Sequence, residues 1–215
     1  YVLKVTVNGN GSITTVTKGG TNIKTSATST SGASVDCDNA IAITATATTG
    51  YHFASWTYTY TGAAPSTTEE QSSSISDAAE AYNLIGSTEF LMPAGNAAGD
   101  VLTVRANFAA NNYNVTLNNQ GATTAGTATT TATYNVAMTS ITVPTKTGFT
   151  FGGYYDATGG AGKQYYDLTG ASANVWDKTV NTTLYAKWTV ISYTIDYNLN
   201  GGTATPSNPT GYNIE

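Results

Sequence analysis

The chain has 215 residues, a mass of 22.2 kDa, a formal net charge of −5 and a pI near 4.7. Only 10% of its residues are charged, against about 25% in an average globular chain. The eight Lys and Arg residues are scattered, so the sequence carries no basic footprint for nucleic acid, and no apolar run approaches the ~20 residues that span a bilayer. A single cysteine, Cys37, excludes an internal disulfide. With one histidine, His52, the chain falls short of the roughly four ligands of a Cys/His zinc site.

Much of the polarity comes from Thr, about one residue in five, a composition that suits strands. Low Cys, low charge and high Thr and Asn point to a secreted bacterial surface protein, placed outside the cell. The chain opens on Tyr1 rather than Met, which reads as a processed or excised start. Length allows one large domain or two small ones.

Period-2 alternation dominates the pattern. In Tyr1-Val2-Leu3-Lys4-Val5-Thr6-Val7, residues 1, 3, 5 and 7 share a face. Asn8-Gly9-Asn10-Gly11 then reads as a turn, followed by a strand over about 12–18. Ala40–Thr48 alternates again, with Ile41, Ile43, Ala45 and Ala47 on one face, and Val101–Phe108 reads as the strand closing this region. Between them, 63–89 reads as a surface insertion with one short helix that Ser74 or Ser76 would cap.

A boundary falls near Ala109-Ala110-Asn111-Asn112, after which the grammar repeats. Tyr113-Asn114-Val115-Thr116-Leu117-Asn118-Asn119 is echoed 80 residues later by Tyr193-Thr194-Ile195-Asp196-Tyr197-Asn198-Leu199, and the opening at Tyr1 lies 112 residues upstream of Tyr113. The expected organisation is a module over 1–110, a second over 111–190, and the start of a third, incomplete module over 191–215.

Thr147-Gly148-Phe149-Thr150-Phe151-Gly152-Gly153-Tyr154-Tyr155, preceded by Pro144-Thr145-Lys146, and the closing string Thr183-Leu184-Tyr185-Ala186-Lys187-Trp188 carry a family resemblance. Residues 113–189 resemble the internalin-type B-repeat, also called the Listeria–Bacteroides repeat, with Lys146 for the usual Arg and Tyr154 for the usual Trp. The first 110 residues resemble the divergent form of that repeat. There the matching strings are Gly50-Tyr51-His52-Phe53-Ala54-Ser55-Trp56, Phe90-Leu91-Met92-Pro93 and Ala106-Asn107-Phe108.

The resemblance implies a mostly β protein of tandem, small β-grasp-like modules with antiparallel sheets in an elongated arrangement. It implies stalks or adhesive segments of large cell-surface proteins. Aromatics are the core candidates, since each buries about 150–250 Å². They are Tyr51, Phe53, Trp56, Phe90 and Phe108 in the first module, and Phe149, Phe151, Tyr154, Tyr185 and Trp188 in the second.

Catalytic and metal chemistry find little support. No Gly-x-Ser-x-Gly, His-Glu-x-x-His or P-loop motif occurs, so no catalytic residue, metal ligand or cofactor is assigned and no enzyme is expected. His52 stands alone in an aromatic strand. Cys37 lies between Asp36 and Asp38, whose charges oppose a reactive thiolate. Asp36-x-Asp38-Asn39 offers oxygens to calcium but lacks the rest of an EF-type loop. An isopeptide crosslink would need Lys, Asn and an acid together; Lys4 and Asn107 are the candidate neighbours, and no acid is evident near either.

Tyr58, Tyr60, Tyr155, Tyr165 and Tyr166 are the candidates for an exposed surface that stacks on sugar rings, the alternative being cross-strand packing within the sheet. The expected partners are neighbouring repeats in the same chain or identical subunits in a filament, and otherwise a host protein or glycan. Nucleic acid and a membrane span are not expected.

Overall fold

The computed structural model describes residues 2–23, 33–34, 40–61, 71–72, 84–85, 89–91, 101–203 and 208–214. They form two compact units, 1–111 and 112–215. The protein is mostly β with several antiparallel sheets, and no α-helix occurs among the described residues.

Unit 1 holds β1 (Val2–Asn8), β2 (Gly11–Lys18), β3 (Thr21–Asn22), β4 (Ala33–Ser34), β5 (Ala40–Ala47), β6 (Tyr51–Thr61), β7 (Gln71–Ser72), β8 (Leu84–Ile85), β9 (Glu89–Leu91) and β10 (Val101–Ala110). They make two five-stranded sheets, ordered β4-β1-β10-β6-β7 and β3-β2-β5-β9-β8. The alternation read from the sequence sets the core. Leu3 and Val5 of β1, Ile13 and Val16 of β2, Ile41 and Ile43 of β5, Trp56 of β6 and Leu102, Val104, Ala106 and Phe108 of β10 are buried in one cluster drawn from both sheets. Val7, Ala45 and Ala47 pack against it.

Unit 2 holds β11 (Asn112–Asn118), β12 (Thr129–Thr133), β13 (Phe149–Tyr155), a one-turn 3-10 helix (Thr158–Gly160), β14 (Gln164–Tyr166), β15 (Thr182–Val190), β16 (Tyr193–Thr194) and β17 (Gly211–Tyr212). Its main sheet is ordered β12-β11-β15-β13-β14, and β16 and β17 pair separately. Its core gathers Val115, Leu117, Ala132, Met138, Phe151, Tyr154, Tyr165, Tyr166, Trp176, Leu184 and Ala186. Met138 and Trp176 lie in the irregular segments 134–148 and 167–181, which are tied to each other by the bridges Tyr134↔Trp176 and Ala137↔Val175.

The same sheet is built in both units. An opening strand runs parallel to the closing strand: β1 to β10, and β11 to β15. A short strand pairs antiparallel on the outer side of the opening strand, β4 or β12. Two antiparallel strands follow on the far side of the closing strand, β6–β7 or β13–β14. Register agrees as well: Val5 faces Val104 as Leu117 faces Leu184, and Trp56 faces Ala106 as Tyr154 faces Ala186. Unit 1 differs by its second sheet, contributed by β2, β3, β5, β8 and β9.

Each unit places a bulge at the same point. Phe53 faces Phe108 and Phe151 faces Trp188, with the register shift between these pairs and the Trp56–Ala106 and Tyr154–Ala186 pairs. Three steps on one strand oppose two on the other. Without the extra residue, positions three apart would face opposite ways; the bulge re-aims them to one side.

Several expected core residues sit elsewhere. Phe53 is 39% exposed, and Tyr51, Phe149, Tyr185 and Trp188 are half-buried. The side chain of Phe90 lies outside the described residues. In unit 1 the aliphatic faces of two packed sheets fill the centre, so the aromatics of the Gly-Tyr-x-Phe-x-x-Trp string border it and only Trp56 enters. Within 63–89, residues 71–72, 84–85 and 89 are strand, while the expected short helix and its caps Ser74 and Ser76 lie outside the described residues.

Candidate functional site

The bulges assemble an aromatic triad in each unit. In unit 1, the Phe53 ring lies 5.1 Å from Trp56 and 5.9 Å from Phe108, centroid to centroid. In unit 2, Phe151 lies 5.3 Å from Tyr154 and 5.5 Å from Trp188. Each such pair is worth about 0.5–1.5 kcal/mol beyond its buried area. In unit 2 the triad is also tied to the turn after β11. The Tyr154 hydroxyl donates to Asn119 Oδ1, and the Trp188 indole N–H donates to Asn119 O at 3.0 Å. Burial pushes the Tyr154 hydroxyl up to about 12.

Four charges of unit 2 gather around Tyr165. Its hydroxyl donates to Asp177 Oδ1, and Lys163 Nζ lies 2.7 Å from Asp177 Oδ2. Lys178 Nζ lies 2.8 Å from Asp156 Oδ2, and the Lys163 backbone N–H donates to Asp156 Oδ1 at 2.7 Å. Both ammonium groups stand over the Tyr165 ring, at 5.4 and 5.7 Å from its centroid. Burial, reinforced by the Asp177 carboxylate, pushes the Tyr165 hydroxyl well above its usual range. Burial also works to raise the Asp156 carboxyl, but hydrogen bonds from Lys178 and the Lys163 backbone outweigh it and hold the group low. Asp177 is held low mainly by its hydrogen bonds from Lys163 and Tyr165. Every charge in this cluster is matched, which makes it a clamp on the aromatic core.

The tyrosines expected to form a binding surface divide three ways. Tyr165 and Tyr166 are fully buried and are corrected to core residues. Adjacent residues of a strand point to opposite faces, so β14 is covered on both. Tyr165 packs on Trp176 at 5.1 Å, and the Tyr166 hydroxyl donates to Thr139 O at 3.0 Å. Tyr155 is half-buried, with Lys187 Nζ 5.7 Å from its ring centre. Tyr58 and Tyr60 are two residues apart in β6, at the register positions of Val104 and Leu102; their side chains lie outside the described residues.

The remaining candidates bring no reactive groups together. His52 is exposed, with Nδ1 2.7 Å from Asn111 Oδ1. Lys4 faces Thr103, not Asn107, and the four intervening residue steps separate the two by about 13 Å along β10. Asn107 instead bonds Asn8 and Thr57, both at 3.1 Å, so the crosslink pairing is corrected. Asp36, Cys37, Asp38 and Asn39 lie outside the described residues. Among the described residues, no three His, Cys, Asp or Glu side chains are grouped to hold a metal, and no helix is long and apolar enough to cross a membrane.

Trp176 is the site residue that sequence reasoning missed. It is fully buried at the centre of unit 2, and its indole N–H meets no acceptor among the described residues. It stands in a Ser-Ala-Asn-Val stretch with no periodicity to flag it; the bulky indole in a polar loop was the available signal.

No solved structure matches the chain. Residues 113–187, which span β11 through most of β15, match the family model of the Listeria-Bacteroides repeat domain, a domain found in bacterial surface proteins.

Proposed function

We propose that this chain is a run of tandem, non-enzymatic modules that serves as a stalk or adhesive spacer in an extracellular bacterial surface protein, with unit 1 a divergent copy of the repeat in unit 2. The observation that carries this reading is the pairing of first and last strands. β1 lies parallel beside β10, and β11 parallel beside β15. A chain that enters on one strand and leaves on its parallel neighbour enters and leaves at opposite ends of the sheet. In unit 1, Val2 is level with Val101, and β10 runs on to Ala110, about 30 Å further at ~3.3 Å per residue.

Modules threaded this way add length with every copy, as a spacer requires. Tension applied at the ends loads the parallel ladder in shear, so its hydrogen bonds resist together rather than one at a time. The identical sheet order in both units supports assigning them one role.

Antibody against residues 112–190, applied to intact and to permeabilised cells of the source bacterium, tests the placement. Labelling of intact cells is expected. Labelling only after permeabilisation overturns the surface reading.

A filament assembled through residues 191–215 is a second reading. It is favoured by the exposure of Tyr193, Tyr197, Leu199, Tyr212 and Ile214, between 41% and 59%, an apolar set of the kind that marks interaction sites. Sedimentation over a concentration series tests it: growth of assemblies that disappears on deleting 193–215 supports it, and a constant monomer overturns it.

A further inference from the structure

Beyond β15 the chain rebuilds the opening of unit 2 at a shift of 80 residues. β16 and β17 pair as Tyr193↔Tyr212 and Thr194↔Gly211; β11 and β12 pair as Tyr113↔Ala132 and Asn114↔Thr131. The turns agree too. The Gln120 N–H donates to Asn118 Oδ1 at 3.0 Å, and the Asn200 N–H to Asn198 Oδ1 at 3.2 Å. Gln120 and Gly121 have φ of 50° and 73°, and Asn200 and Gly201 have 42° and 91°.

This hairpin is attached to the rest of unit 2 at three points. Only Ile191 and Ser192 separate β15 from β16, so the strand ends Val190 and Tyr193 are three steps and at most about 11 Å apart. The Ile191 N–H donates to Gly148 O at 2.8 Å, which carries the β13–β15 ladder one rung past Val190. Ile214 then rests on Gly148: a Cβ added there would lie 2.6–2.9 Å from Ile214 Cγ2, Cβ and Cδ1. Gly148 has φ of +76°, so the turn before β13 requires glycine on its own account, and the bare Cα also leaves the seat that Ile214 fills.

We propose that the contact of Gly148 with Ile191 and Ile214 is the joint between successive repeats, and that the occupant of the Gly148 seat is the chain's own next repeat. This rests on the tandem-spacer reading and deepens it. The glycine of one module's Thr-Gly-Phe turn receives the aliphatic residue of the next module's Tyr-Asn-Ile string. The seat fixes the direction of the following hairpin.

Solution NMR on the 215-residue chain tests the joint. Nuclear Overhauser contacts from the Ile214 methyls to the Gly148 α-protons are expected, with the amides of 193–194 and 211–212 sharing one alignment tensor with the unit 2 sheet. Ile214→Asp should abolish the contact and split the tensor, while amide protection in β11, β13 and β15 stays unchanged. Absence of the contact in the parent chain, separate tensors there, or a common tensor retained in Ile214→Asp would each overturn the proposal. Gly148→Ala is avoided because it also strains the turn. The joint is read from the protein alone, so its failure is distinct from failure of the surface placement, which the cell labelling reports.

Discussion

Trp188 donates its indole N–H to the backbone oxygen of Asn119, 3.0 Å away and 69 residues earlier in the chain. Asn119 also accepts, through its side chain, the hydroxyl of Tyr154. One turn residue therefore satisfies two aromatic polar groups, which lets the aromatics of β13 and β15 pack without orphaned donors.

Removing the acceptor should cost more than removing the donor. Asn119→Ala leaves the buried Tyr154 hydroxyl without Oδ1, a loss of about 1–3 kcal/mol. Tyr154→Phe removes the hydroxyl itself and frees a half-buried amide that can meet water, costing about 1 kcal/mol or less. Urea unfolding of unit 2, followed by NMR peak intensities, reads the difference. Equal losses would show that the Asn119 side chain does not hold the triad.

The two rings of the first triad should differ in weight. Trp56 is 5% exposed and Phe53 is 39% exposed, although they touch. Trp56→Ala is expected to destabilise unit 1 by about 3–5 kcal/mol. Phe53→Ala should cost roughly half as much, because less of its area leaves water on folding. Thermal and urea denaturation of the two variants measure this, and a Phe53 loss equal to that of Trp56 would contradict the border position.

Gly153 should tolerate no side chain. Its φ is +103°, and an added Cβ would lie 2.3 Å from the backbone oxygen of Tyr166 in the adjacent strand. Gly159 has φ of +71° with nothing within 4 Å. Gly159→Ala should cost only the left-handed penalty of about 1–2 kcal/mol. Gly153→Ala adds overpacking of about 1–3 kcal/mol and should weaken amide protection at Tyr166. Protection unchanged at β14 would refute the close approach.

Unit 2 should lose stability in alkali. Burial raises the hydroxyls of Tyr154, Tyr165 and Tyr166 above the ordinary 10.0, Tyr154 to about 12. A group whose folded value is raised keeps its full contribution below the unfolded value and loses it as pH climbs toward the folded one. Stability should therefore hold up to about pH 10 and fall from there toward pH 12. Tyrosinate absorbance should show these three groups titrating late, together with unfolding. Early, non-cooperative titration of every tyrosine would contradict their burial.

The strands at 2–8, 11–18, 40–47 and 101–110 were legible because each has one face on a core, and alternation records a single buried face. The 80-residue echo and the Thr-Gly-Phe and Leu-Tyr-Ala-Lys-Trp strings were likewise readable. They are local strings whose spacing survives folding. Tyr165 and Tyr166 were misread for the same reason: two adjacent tyrosines imply that one faces water, unless irregular chain covers the second face, and no periodicity announces such cover.

By itself, then, the sequence determined a charge-poor β protein with repeated strand-and-turn units, because period and turn chemistry are properties of neighbouring residues. Only the tertiary structure decided that opening and closing strands lie parallel and adjacent. It alone decided that a bulge gathers Phe151, Tyr154 and Trp188 into one triad, and that Ile214 finds its seat on Gly148. Each of these joins residues far apart in the chain, and such contacts are chosen by the competition among whole sheets for apolar cover, which no local pattern encodes.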